Sequence, residues 1–187
     1  MKKGLFAAMA VVSLLLCGCG KSGSSFSRPD GSAWTLETLT SSMTLCGQTL
    51  SYPITLDGLG SDFSIDENNI EDHYMGTVVH LRYKGEDACN LRFECAPDKL
   101  NGSVPASMLI FCPGEADKWK LSVNGFTAED KLEDAKDKLG EPSEIRGATY
   151  YYRTMDNGRL DIIEGTGGKI FAINLYDMAH IGNEQSS

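Results

Sequence analysis

Cysteine is the residue type in this chain with the widest chemistry, because its thiolate is a nucleophile, a metal ligand and a disulfide partner. The sequence contains six cysteines: Cys17, Cys19, Cys46, Cys89, Cys95 and Cys112. In an exported protein the even number of later cysteines favours disulfide bonds, with three pairings open. Zinc sites use closer Cys-x-x-Cys pairs, and none is present. We predict disulfides among the later four, with free buried thiols and a metal site as alternatives.

The histidines and carboxylates form no recognisable catalytic motif. His73, His80 and His180 are scattered, and no His-Glu-x-x-His sequence occurs. The segment 165–169 (GTGGK) lacks the six-residue loop of a phosphate-binding motif and predicts a hairpin turn. The acidic segment 61–72 has oxygen ligands for calcium but not the ligand order of a calcium loop, so we expect a solvated loop. We assign no catalytic residue, no metal and no cofactor.

The first twenty residues have the layout of a secretory signal. Two lysines precede an apolar run over 5–16, and small residues follow. The run is shorter than the roughly 20 apolar residues of a membrane span, which disfavours the alternative of an uncleaved membrane helix. Its end, Leu16-Cys17-Gly18-Cys19, resembles the lipobox of bacterial lipoproteins. The resemblance implies a signal peptide over 1–18 and a lipid attached to Cys19, which would anchor the protein on the extracytoplasmic face of the membrane.

The charge of the chain excludes one class of partner. The formal net charge is −9, and it becomes −11 once Lys2 and Lys3 leave with the signal peptide. No basic patch is present to neutralise phosphates, so we expect no nucleic-acid partner.

The remaining chain divides into three segments. Residues 19–42 contain the anchor and a Ser-, Gly- and Thr-rich stretch that predicts a flexible tether, with a short helix near 34–39 as an alternative. Two α+β units follow, at 43–114 and 115–187. The predicted strands are 77–83, 89–95 and 107–112 in the first unit, and 149–153, 160–164 and 169–176 in the second. A helix is predicted over 128–139, begun by Thr127 and ended by Gly140.

The order of these elements predicts two tandem repeats, each a short helical segment packed on an antiparallel meander. The alternative is two unrelated α+β stretches. The second unit, through Thr127-x-x-Asp130 and Leu139-Gly140-Glu141-Pro142, resembles the repeat shared by the beta-lactamase inhibitor protein and small outer-membrane-assembly lipoproteins. That resemblance implies a sheet that binds other proteins, and it implies no catalytic residues.

The run Tyr150-Tyr151-Tyr152 is the most unusual candidate for a binding surface. In a strand Tyr150 and Tyr152 share one face and Tyr151 takes the other, so one side is core and the other offers aromatic surface to a partner. We therefore expect a lipid-anchored, non-enzymatic module with a protein partner. A cell-wall enzyme or accessory hydrolase subunit is the alternative, and it requires a deep pocket lined by His80 and two carboxylates. A receptor for a small ligand is a third hypothesis, but the chain is short for a two-lobed solute-binding protein.

Overall fold

The structure, a computed structural model, consists of two antiparallel sheets and three short helices, and it describes residues 27, 28, 30–74 and 76–181. No helix among these residues is long and apolar enough to cross a membrane. The helices are α1 (Leu36–Ser41), α2 (Leu56–Leu59) and α3 (Ala135–Leu139). The strands are β1 (Met43–Leu45), β2 (Gln48–Thr49), β3 (Phe63–His73), β4 (Gly76–Tyr83), β5 (Glu86–Phe93), β6 (Met108–Phe111), β7 (Leu121–Val123), β8 (Phe126–Thr127), β9 (Glu144–Arg146), β10 (Thr149–Arg153), β11 (Gly158–Glu164) and β12 (Ile170–Asp177).

The large sheet has eight strands in the order β3-β4-β5-β6-β12-β11-β10-β9. Two four-stranded meanders meet at its centre, where β6 and β12 pair antiparallel. The fold class is therefore α+β, with more strand than helix. Each meander has four strands where we predicted three. The added strand of the first meander is β3, which occupies most of the segment predicted as an acidic loop over 61–72.

The small sheet has the order β2-β1-β7-β8 and is built from two hairpins that pair through β1 and β7. Both hairpin turns have two consecutive residues with positive φ, at Cys46-Gly47 (51° and 82°) and Asn124-Gly125 (49° and 78°). A two-residue turn of this kind matches the right-handed twist of the strands that it joins. The Asn-Gly sequence thus correctly marks a hairpin.

The prediction of a helix over 128–139 is wrong for the first half of that range. Residues Leu132–Asp134 form a 3₁₀ turn, and only α3 after it is α-helical. The Asp130 carboxylate folds back and accepts hydrogen bonds from the backbone N–H of Thr127 (2.7 Å) and from its hydroxyl (3.0 Å). This local bonding competes with helical backbone bonds, and Lys131 is extended with ψ of 141°.

Gly140 ends α3, as predicted. Its φ is 94° and its Cα lies against the backbone carbonyl of Ser27, which leaves no room for a Cβ atom. Glycine is the residue that tolerates both conditions.

The tether predicted over 19–42 is wrong for its second part. Trp34 is fully buried and its indole N–H donates to the Leu139 carbonyl (3.1 Å). The first N–H group of α1, at Leu36, donates to the Asp156 carboxylate at 2.8 and 3.0 Å. A helix shorter than about 12 residues depends on tertiary contacts for its stability, and these contacts join α1 to the second half of the chain. The signal peptide and Cys19 lie outside the described residues.

One hydrophobic core lies between the large sheet and the layer of helices and small sheet. We call the sheet surface that faces this core the inner face. A row of side chains in register crosses six strands of the inner face, and all of its members are buried: Val79, Leu91, Leu109, Leu175, Leu160 and Tyr152. Because both halves contribute to this row, the two predicted units share one core.

Candidate functional site

The candidate site is the opposite surface of the large sheet, which we call the outer face. The helices and the small sheet pack on the inner face, so the outer face is the broad sheet surface left for a partner. Two rows of side chains in register cross it. One row consists of Val78, Arg92, Met108, Tyr176, Arg159 and Arg153. The neighbouring row consists of His80, Asn90, Ile110, Asn174, Asp161, Tyr151 and Glu144.

The three tyrosines of the candidate binding surface lie on alternate faces of the sheet, as expected for successive residues of a strand. Tyr152 is fully buried in the core, and Tyr150 packs against the core from its margin. Tyr150 also lines an open groove of about 300 Å³ beside Leu132 and Gly167. Tyr151 lies on the outer face opposite Asp161. Tyr151 is therefore the member of the run that belongs to the candidate site.

Arginine is concentrated on the outer face. Five of the six arginines in the chain lie in the strands of the large sheet with outward phase, and the same eight strands contain no lysine. The five are Arg82, Arg92, Arg146, Arg153 and Arg159. Arginine stacks on aromatic rings and pairs with carboxylates through two N–H groups, which lysine cannot do. An otherwise acidic protein thus presents guanidinium groups on one surface.

Each of these arginines has a carboxylate nearby. Arg82 contacts Asp66 (2.6 Å), Arg92 contacts Glu94 (2.9 Å) and Arg159 contacts Asp161 (2.8 Å). Glu144 lies between two guanidinium groups, with Arg146 at 2.5 Å and Arg153 at 3.9 Å. The pairs hold the side chains in fixed orientations. Arg146 and Arg153 remain largely exposed and are free to contact a partner.

The centre of the outer face is a stack of aromatic rings around Arg159. Its guanidinium carbon lies 4.2 Å from the ring centre of Tyr176 and 5.6 Å from that of Tyr151. Both distances are within the range of cation–π attraction. Because packing fixes these side chains in advance, a partner that docks on them loses little conformational entropy at this position.

Two polar side chains are buried beneath this stack. Asp161 and Asn174 face each other across β11 and β12 and are 4% and 7% exposed. Burial raises the pKa of the Asp161 carboxyl, and the nearby Arg159 offsets this only in part. The Asn174 amide oxygen is buried and accepts no hydrogen bond from the described residues. An unpaired buried acceptor such as the Asn174 amide oxygen costs stability, whereas Asp161 is compensated in part by its contact with Arg159.

The raised pKa of Asp161 gives a prediction for stability. In the folded state this carboxyl keeps its proton above the ordinary pKa of 3.8. The contribution of Asp161 to the free energy of unfolding should therefore fall as pH rises from below 3.8 through the folded pKa, because in that window this carboxyl binds more protons in the folded state. Asp161→Asn should lack this fall. Urea denaturation between pH 3.5 and 7 measures the effect, with the exposed Glu133→Gln as control. Parallel curves for wild type and Asp161→Asn would contradict it.

A pocket at β4, β5 and β6 bears on the hydrolase alternative. It has a volume of about 170 Å³ and is lined by His80 and two carboxylates, Asp87 and Asp117. The Asp87 side chain is 92% exposed, and Asp117 is paired with Lys120 at 3.0 Å. The Nε2 atom of His80 lies 3.6 Å from a carboxylate oxygen of Glu71. A carboxyl that acts as a general acid near neutral pH needs a shielded setting that raises its pKa, and neither aspartate has that setting.

None of the four later cysteines is disulfide-bonded in the structure, so the disulfides that their even number predicts are not formed in it. They occupy different environments and are not close to one another. Cys46 lies in the β1–β2 turn and Cys89 in β5, both buried; Cys95 is partly buried, and Cys112 is exposed beside the pocket just described. Burial raises the pKa values of Cys46, Cys89 and Cys112. These thiols therefore lack the lowered pKa of a reactive cysteine.

Within the described ranges no three His, Cys, Asp or Glu side chains are arranged to hold a metal ion. The acidic segment weighed as a calcium site is mostly strand, and its one buried carboxylate, Asp66, is occupied by Arg82 and by the Asn69 amide (2.7 Å). The third histidine, His180, lies away from the outer face and contacts Asp177 (2.8 Å).

Comparisons with known protein families, with curated proteins and with solved structures gave no match to this chain. The resemblance to the beta-lactamase inhibitor repeat remains a prediction from its sequence motif. Sequence reasoning missed Arg153, Arg159 and Tyr176 as members of the site. The available signal was one arginine in each of three predicted strands, Arg82, Arg92 and Arg153, whereas Arg159 lies just outside the predicted range 160–164.

Proposed function

We propose that this protein is a lipid-anchored, extracytoplasmic binding module that engages a protein partner through the outer face of its large sheet. The observation that carries the proposal is the concentration of five of six arginines, with Tyr151 and Tyr176, on this face. Tyrosine and arginine are enriched in protein–protein interfaces and at their energetic hot spots.

The partner is one that presents carboxylates. Arg146 and Arg153 have side chains 68% and 46% exposed at one side of the outer face. The protein as a whole carries a net charge of −9, so an acidic partner is repelled by most of its surface. The arginine-bearing face is where such a partner finds opposite charge, and this restricts the orientation in which it docks.

The folded body is a tandem repeat in this proposal. Each half contributes a hairpin with a positive-φ turn, a short helix ended by a positive-φ glycine, and a four-stranded meander. The last strands of the two meanders pair with each other, as do the first strands of the two hairpins. Duplication of one ancestral unit would explain why both halves have the same order of elements. Two unrelated stretches would have to reach it independently.

The location follows from the lipobox resemblance. Lipid on Cys19 would hold the protein at the extracytoplasmic face of the cell membrane, and two or more acyl chains make such an anchor stable. The described body begins by Ser27, whose backbone pairs with Ala33. Of the tether predicted over 19–42, the part before Ser27 lies outside the described residues.

A photo-crosslinking amino acid at Tyr151 tests the proposal in intact cells. We expect one reproducible partner band that weakens when Arg153→Glu is added. The control is the same photo-reactive residue at Glu133, which is 77% exposed on the opposite layer. A partner band of equal strength from both positions, or from neither, would remove the outer face as the binding surface.

The hydrolase alternative has one observation in its favour, the pocket lined by His80, Asp87 and Asp117. It is less well supported, because both aspartates are solvated or paired as described above. Loss of muralytic activity in Asp117→Asn, with the Tyr151 crosslink absent, would favour it over the binding module.

A further inference from the structure

The large sheet ends on one side at β9, whose outward backbone edge has no partner strand among the described residues. An unpaired edge is a template for another strand, and proteins usually protect such edges with charge, bulges or proline. The opposite edge, β3, has such protection: its pairing is irregular between Ile65 and Ile70, and it carries Glu67, Glu71 and Asp72. A second β3 placed beside it would bring like charges together.

The sequence of β9, Glu144-Ile145-Arg146, would instead bring opposite charges together if a second β9 lay beside it. In a two-fold antiparallel pair centred on Ile145, the Glu144 of one copy lies opposite the Arg146 of the other, and the reverse holds as well. Opposite charges at directly facing positions stabilise a strand pair. Both charged side chains project on the outer face, where Arg146 is 68% exposed.

The apolar residue at the centre completes the match. Ile145 is 50% exposed, which is high for an isoleucine in a folded protein. In the same two-fold arrangement each Ile145 packs against its equivalent in the second copy, and both are removed from water. Pro142 and Gly147 limit the paired segment to a few residues.

We propose that a second copy of this chain pairs with β9 through this edge and joins two large sheets into one. The contact is isologous, so it closes as a dimer and does not extend into a fibre. It is too small for tight association in solution, but confinement of two copies to one membrane raises their effective concentration. The proposal rests on the sheet edge and on the lipid anchor proposed above, and it does not depend on the partner proposed for the outer face.

Disulfide crosslinking of the full-length chain in intact cells tests this edge. The exposed native thiol is first removed by Cys112→Ser, and Ile145→Cys is then introduced. Treatment with an oxidant should give a dimer on a non-reducing gel, because two-fold pairing places the two residues 145 side by side. Met155→Cys is the matched control, since Met155 is 68% exposed but lies away from β9. A dimer no stronger than that of Met155→Cys would overturn the proposal, and so would pairing of β9 with β3 of another copy.

Charge exchange supplies the second arm. Arg146→Glu in the Ile145→Cys protein places glutamates opposite each other and should reduce the dimer about tenfold, since it turns two attractive cross-strand pairs into repulsive ones. Glu144→Arg combined with Arg146→Glu restores opposite charges and should restore the dimer. If the double exchange crosslinks as weakly as Arg146→Glu, the two-fold register is wrong. Recovery in the double exchange also shows that the single variant had not simply unfolded.

Discussion

Trp34→Ala should reduce the free energy of unfolding by about 3–5 kcal/mol, the usual cost of truncating a buried aromatic side chain to alanine. The indole is fully buried and its N–H donates to the Leu139 carbonyl. The Arg28 guanidinium lies 4.8 Å from the centre of the Trp34 ring. The backbone carbonyl of Trp34 accepts a hydrogen bond from the backbone N–H of Met155 (3.0 Å). The residue therefore connects the start of the described chain to the second half. A loss of this size is a large fraction of the stability of an ordinary domain, about 5–15 kcal/mol.

The measurement is urea denaturation monitored by circular dichroism, and the chain provides its own control. Trp119 is the other tryptophan; it is 51% exposed and its indole N–H donates to the nearby Ala116 carbonyl. Trp119→Ala should cost well under half as much, because little buried surface is lost. If the two variants lose equal stability, Trp34 is not the structural residue that its burial indicates. A chain that begins at residue 43 should fail to fold for the same reason.

Cys19→Ala should abolish lipid attachment and leave the chain unprocessed, with residues 1–18 still in place. The lipobox resemblance makes this thiol the acceptor of the lipid and makes its residue the new N-terminus. The effect should be all-or-none, because the resemblance places the thioether on Cys19 and has Cys17, the other thiol of the motif, leave with the signal peptide. Incorporation of an alkyne fatty acid, read on a gel, measures the lipid. Intact mass measures the retained segment.

Cys17→Ala is the matched control, since it alters a cysteine two residues earlier that would leave with the signal peptide. It should remain lipidated and processed. Persistent fatty-acid labelling of Cys19→Ala, or loss of labelling in Cys17→Ala, would place the anchor elsewhere or remove it.

Local sequence patterns predicted the strands well. The strand β10 has the predicted bounds, Thr149–Arg153, and five others overlap their predicted ranges. Alternation of apolar and polar residues is a property of neighbouring positions, so it can be recognised without knowledge of the fold. The Asn124-Gly125 turn was predictable for the same reason. Acidic β3 was missed because its side chains are mostly exposed, and no alternation of buried residues marks it.

Helices and segment boundaries were predicted less well. The spacing of Leu132, Ala135 and Leu139 favours a continuous helix, but the Asp130 side chain bonds to the backbone of Thr127 and breaks its first part. Trp34 lies in a polar stretch with few apolar neighbours, so composition alone predicted a tether. Its burial depends on Leu139, which is 105 residues away in sequence.

The candidate site likewise has features that local sequence predicts and features that depend on long-range contacts. Sequence by itself determined that Tyr151 and Tyr152 face opposite ways, because successive side chains in a strand alternate. It also determined the acidic charge of the chain, and it predicts a lipid on Cys19 through the lipobox resemblance. Only the tertiary structure decided that Arg92, on β5, and Arg153 and Arg159, on β10 and β11, form one row with Tyr176. Register between strands is set by the packing of the whole core, and no local pattern records it.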